Sequence, residues 1–178
     1  IASIGLTRGT VAISGRVNIG PFFAVLEQLK MLLPDLKIRS FFKDSPFLTA
    51  RMTKTEDEVE HIRRMGQITT TVMGRVQRFL QSCPVENEQL RMENGTPLTI
   101  RDVKNRINYW LAELGADNPE ETIFSIGRDG GVPHNSGNPD DAITLGVPIV
   151  FDIFPCEKGG GYFYDCTRTW CLGHAPDA

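Results

Sequence analysis

The chain has 178 residues, 40% of them hydrophobic and 23% charged, with a formal net charge of −3. That is ordinary globular composition, enough for one domain, or for one domain and part of another. The near-neutral balance gives no electrostatic footprint for nucleic acid or an anionic membrane, and no apolar run approaches the roughly 20 residues that span a bilayer.

The opening segment IASIGLTRGT has neither a basic stretch nor a long apolar one, so it does not read as a signal peptide; lacking an initiator methionine, Ile1 is not expected to be the native start. Residues 1–52 read as strand, helix, strand. A β-prone run from Thr10 to Ser14 ends at Gly15, and Pro21 sits near the start of a helix carrying Phe22, Phe23, Val25, Leu26, Leu29, Leu32 and Leu33. Pro34 stops that helix, and Leu36, Ile38 and Phe41 mark the next strand. Such a piece is too short to close a core of its own.

Residues 55–80 form the clearest helix. Thr55 and Glu58 stand at capping-box spacing, and Val59, Ile62, Met65, Ile68, Val72, Val76, Phe79 and Leu80 make one apolar stripe at helical period. His61, among Glu60, Arg63 and Arg64, is expected to be exposed and solvated. Residues 82–97 are polar and turn-rich. Thr99 opens a second amphipathic helix with Asp102 near its positive end and Ile100, Val103, Ile107, Trp110, Leu111 and Leu114 on the buried face, closed by Gly115.

A short strand, TIFSI, then leads into the loop GRDGGVPHNSGNPDD, which delivers His134 beside Pro133. The loop lacks the Gly-Lys-Ser/Thr ending of a phosphate cradle. Residues 147–173 read as two strands joined by a glycine-rich hairpin, each carrying one aspartate in an apolar run: Asp152 among Val150, Phe151, Ile153 and Phe154, and Asp165 between Tyr164 and Trp170. A half-buried strand carboxylate is costly unless it is paired, hydrogen-bonded or metal-bound. Two side by side repel unless a proton or cation lies between them. Backbone amides, or Arg168, are the alternative partners for either one. Cys83, Cys156, Cys166 and Cys171 show no Cys-x-x-Cys spacing and read as reduced thiols of a cytoplasmic protein.

The order Gly161, Tyr162, Asp165, Thr167, Arg168, Thr169, Trp170 resembles the Gly-Tyr-x-x-Asp-x-Thr-Arg-Thr-aromatic pattern of the pita-bread metallopeptidases, the family of aminopeptidase P, prolidase, methionine aminopeptidase and creatinase. GVPHNSGNPDD resembles that family's Pro-His segment, and ARMTKTEDEVEHIRRM resembles the opening of its catalytic domain. Thirteen residues separate the two aspartates, somewhat more than in many members, so the KGGG stretch reads as an enlarged hairpin tip.

The resemblance implies an α/β (α+β) fold: residues 1–52 as the βαβ tail of a creatinase-like N-terminal domain, and residues 53–178 as the N-terminal half of the pita-bread domain. It implies Asp152 and Asp165 as ligands of two divalent ions, Mn²⁺ first, with Co²⁺ or Zn²⁺ as alternatives, and His134 as a catalytic residue on the substrate side. The implied partner is a peptide with proline at its second position, with no nucleic acid and no membrane, and a homodimer is left open for the longer protein. The family also needs a histidine and two glutamates from a later segment. After Gly173 only five residues remain, so the chain is expected to be a fragment, binding metal weakly or not at all and inactive alone. Two other functions stand beside an Xaa-Pro aminopeptidase or dipeptidase: a non-catalytic peptide-binding module, and a creatinase-like, metal-independent C–N hydrolase.

Overall fold

The structure, a computed structural model, describes residues 5–15, 17–41 and 45–175. Ile1 and the last three residues lie outside them. The chain divides into two compact units, Ile1–Lys54 and Thr55–Ala178.

In the first unit, β1 (Gly9–Ile13) and β2 (Leu36–Ser40) pair in parallel, with Val11 opposite Ile38. Parallel neighbours need a crossover, supplied by helix α1 (Ile19–Leu32). Two strands and one helix cannot enclose a core. Accordingly α1 buries none of its residues, and Phe23, Val25, Met31 and Leu32 are all exposed. A short helix, α2 (Pro46–Met52), follows; the Ser45 hydroxyl accepts from the Phe47 amide, and Pro46 takes the first turn, where no amide hydrogen is required.

The second unit begins on its own cap. In α3 (Glu56–Ser82) the Thr55 hydroxyl accepts from the Glu58 amide while the Glu58 carboxylate accepts from the Thr55 amide, a reciprocal box. The same device, built from Thr99 and Asp102, starts α4 (Ile100–Glu113). Between them lies a hairpin that the sequence pattern does not announce, β3 (Val85–Glu86) with β4 (Gln89–Leu90). Asn87 and Glu88 at its tip both adopt positive φ, as the twist of a two-residue hairpin requires.

The main sheet has three antiparallel strands in the order β6–β7–β9, namely Ile123–Ile126, Pro148–Ile153 and Cys166–Cys171. Two-residue strands β5 (Ala116–Asp117) and β8 (Cys156–Glu157) pair beside it. Residues 147–173 are therefore not one simple hairpin: between β7 and β9 the chain detours through β8. Tyr162, Phe163 and Tyr164 lie outside any strand.

Met65, Val72, Val76 and Leu80 of α3, Ile100, Val103, Ile107 and Leu111 of α4, and Phe124, Ile149, Phe151 and Ile153 of the sheet form one buried cluster. The helical stripes thus face the sheet, and each large side chain so buried contributes about 1.5–3 kcal/mol relative to exposure. Ile107 is fully buried. Its replacement by alanine is expected to cost about 2–5 kcal/mol of unfolding free energy, read as a fall in the urea midpoint at unchanged m-value.

Candidate metal centre

Strand periodicity sets the site. Along β7, Ile149, Phe151 and Ile153 are buried while Val150 and Asp152 between them are only partly covered. Side chains of period two must alternate, so packing the first three into the core turns Asp152 to the opposite face. Register places Ile123 of β6 on one side of Asp152 and Thr167 of β9 on the other. The Thr167 hydroxyl donates to Asp152 Oδ1 at 2.7 Å. Asp165 lies two residues before Thr167 and hence on the same face. It sits one residue ahead of β9 rather than inside the strand, because the ladder opens only at Cys166.

The two carboxyl groups meet. Desolvation, the Asp152 charge and a hydrogen bond between the pair all push the Asp165 pKa above the usual carboxylate value. Asp165 is exposed, so its burial is not deep, and the Asp152 charge and hydrogen bond add to the desolvation in disfavouring its ionised form.

Several contacts hold the segment that presents Asp165. The Tyr164 amide donates to the Pro155 carbonyl at 3.1 Å. The Tyr164 ring rests directly on α3 at Gly66, where an added Cβ would stand 2.8 Å from the ring. At the glycine-rich tip the Tyr162 amide donates to Glu157 Oε2 at 3.2 Å, and the Tyr162 hydroxyl donates to Glu58 of α3. His61 Nδ1 lies 2.5 Å from Glu157 Oε1, and that ring together with the Tyr162 amide holds the Glu157 carboxyl below its ordinary range. His61 is therefore half-exposed but paired, not simply solvated. Its partner stands 96 residues away, beyond the reach of any local pattern.

His134 occupies the loop after β6. A short 3-10 helix (Gly127–Gly131) follows that strand, and the Asn135 amide then closes a turn on the Val132 carbonyl at 3.1 Å. His134 is exposed and takes φ 59°, an uncommon conformation for a non-glycine residue. Gly137 ties the loop down: at φ 81°, a Cβ there would lie 2.5 Å from the Phe124 carbonyl oxygen.

The sheet thus brings Asp152, Asp165 and Thr167 together, with His134 on a separate loop. Two adjacent carboxylates, one of them with its pKa raised by the other, suit a hard divalent cation as a partial donor set. Among the described residues no group of three or more His, Cys, Asp and Glu side chains converges in a metal-holding arrangement.

Residues 60–178 match the model of metallopeptidase family M24, and the chain belongs to that family. No curated protein sequence matches it. Among solved structures, it is similar to the X-Pro aminopeptidase of Thermotoga maritima, with 21% identity and a TM-score of 0.71 over 99% of this chain and 44% of that one. It is also similar to a dipeptidase of Pyrococcus horikoshii, with 20% identity and a TM-score of 0.73 over 98% and 42%, and to prolidase of Pyrococcus furiosus, with 19% identity and a TM-score of 0.65 over 95% and 47%. At these identities the likeness is one of fold, and it bears out the expected α/β (α+β) class, a portion of the pita-bread domain preceded by a βαβ unit. The chain spans less than half the length of each of the three. Among the described residues no helix is long and apolar enough to cross a membrane.

The raised Asp165 pKa carries a sign. Its ionised form is disfavoured in the folded chain, so the penalty is full above the folded pKa and is relieved as pH falls through that value toward the unfolded one. Asp165→Asn is therefore expected to raise the melting temperature of the metal-free chain at pH 7 and to have a smaller effect at pH 4, as read by circular dichroism.

Proposed function

We propose that this chain supplies the first part of a dinuclear metal centre in a peptidase that hydrolyses Xaa-Pro bonds, as an aminopeptidase or a dipeptidase. The observation that carries the reading is the carboxylate pair. Family membership supports a metallopeptidase, and the names of the structural neighbours support proline at the second position of the substrate.

In this reading Asp152 and Asp165 hold the ions, Mn²⁺ first, with Co²⁺ or Zn²⁺ as alternatives. Bound divalent ions lower the pKa of water and polarise a carbonyl, which is the chemistry that peptide hydrolysis requires. Thr167 orients Asp152 by donating its hydroxyl to one of the carboxylate oxygens. The Gly66–Tyr164 contact and the Glu58–Tyr162 hydrogen bond position Asp165. His134 meets the substrate from the loop after β6, where its conformation and the Gly137 anchor fix the backbone. Residues 1–52 act as the closing part of a creatinase-like N-terminal domain. Four free cysteines suit a reducing, cytoplasmic compartment.

Two carboxylates leave a cation mostly in solvent, so the 178-residue chain by itself is expected to bind Mn²⁺ weakly or not at all and to leave an Xaa-Pro dipeptide intact. Calorimetry with an Asp152→Asn control checks the first expectation, and a hydrolysis assay the second. In a longer protein containing this sequence, Asp152→Asn and Asp165→Asn are each expected to reduce kcat on an Xaa-Pro peptide by about 100-fold or more, the scale of losing a principal charge-stabilising group. Xaa-Pro hydrolysis unaffected by both substitutions would overturn the assignment. Gly66→Ala, which touches no ligand, is expected to weaken metal binding in that protein by displacing the Tyr164 ring.

A further inference from the structure

A second feature of the Thr55–Ala178 unit shares no residue with the carboxylate pair. A cavity of about 460 Å³ lies where the end of α3, the β3–β4 hairpin and α4 meet, within the size range of small-molecule sites. Phe79, Pro84 and Met92 give it apolar walls, and Arg91 and Arg106 bring two guanidinium groups to it.

The two arginines are not equivalent. Arg91 Nε lies 3.3 Å from Glu86 Oε2, so its charge is matched within the fold. That nitrogen is nonetheless shut off from solvent and makes no hydrogen bond. An orphaned buried donor is costly and normally finds an acceptor. Arg106 is exposed and stands over the Phe79 ring, with its guanidinium carbon 4.2 Å from the ring centre. The ring fixes the guanidinium and supplies no oxygen acceptor, and no hydrogen bond or ion pair engages Arg106 among the described residues. The cavity therefore presents the Arg106 charge, stacked on Phe79, beside an apolar wall. Exposed Glu93 at its rim opposes a second negative charge.

We propose that this cavity binds a small amphipathic monocarboxylate, with its carboxylate on Arg106 and its apolar body against Phe79, Pro84 and Met92. Guanidinium and carboxylate match in plane and in charge, whereas a dianionic phosphate would leave one charge uncompensated near Glu93.

The test is a titration of the 178-residue chain, followed by amide correlation NMR at pH 7 and constant ionic strength, with benzoate, benzyl alcohol and phenyl phosphate as probes. Benzoate is expected to give saturable shifts at Met92, Asn94 and Arg106, and benzyl alcohol none that saturate, with phenyl phosphate binding more weakly than benzoate. Arg106→Gln should weaken benzoate by about tenfold or more, the loss of a charged hydrogen bond, while Arg106→Lys retains part of the affinity. Arg106 is exposed, so both variants should melt with the parent chain, and the glutamine-to-lysine comparison holds even if both melt earlier. Absence of saturable benzoate shifts overturns the site. Equal binding of benzyl alcohol, or undiminished binding by Arg106→Gln, overturns the role of the charge. Tighter binding of phenyl phosphate overturns the monocarboxylate class.

Discussion

Everything at the carboxylate pair depends on the two-residue period of β7. Phe151 packs between Phe124 and Trp170, with ring centres 5.5 and 5.3 Å away, and Ile149 and Ile153 are fully buried beside it. Core packing of that density fixes the register of the strand, because a slip of one residue would drive Asp152 into the hydrophobic cluster and expose three large apolar side chains. The orientation of the acid is thus enforced by the hydrophobic effect acting on its neighbours.

The parts legible in the sequence are those whose causes are local. Both capping boxes, the apolar stripes of α3 and α4 and the alternation around Asp152 follow from residues within a few positions of one another. Strands β3, β4, β5 and β8 are two residues long, too short for any period to show, and β5 finds β8 about forty residues away. The same nonlocality hid the His61–Glu157 pair. Local pattern also placed Asp165 inside its strand, because Tyr162, Phe163 and Tyr164 have strong β propensity; the β8 detour and the docking of Tyr164 on Gly66 override it. The two strand aspartates stood out by residue type, which left backbone amides and Arg168 as alternative partners, and their metal-binding role came from a resemblance. Arg168 donates instead to the Thr167 carbonyl, and Thr167 is the residue that engages Asp152.

Asp165 is held from a distance. Tyr162 and Tyr164 flank the segment before it, one bonded to Glu58 near the start of α3 and the other packed on Gly66 two turns later. A long helix is the most rigid object in this unit, and anchoring an irregular segment to it at two points gives that segment some of the helix's stiffness. The glycine-rich tip between β8 and Tyr162 can then vary in length while the acid stays in place.

The reciprocal cap on α3 has a consequence for how such chains are assembled. Thr55 and Glu58 serve each other's backbone amides at the helix start. The first turn of α3 thus carries its own start signal, written in two residues that belong to the unit the helix opens. An insertion ahead of Thr55 therefore leaves the reciprocal amide pairing of the helix start in place.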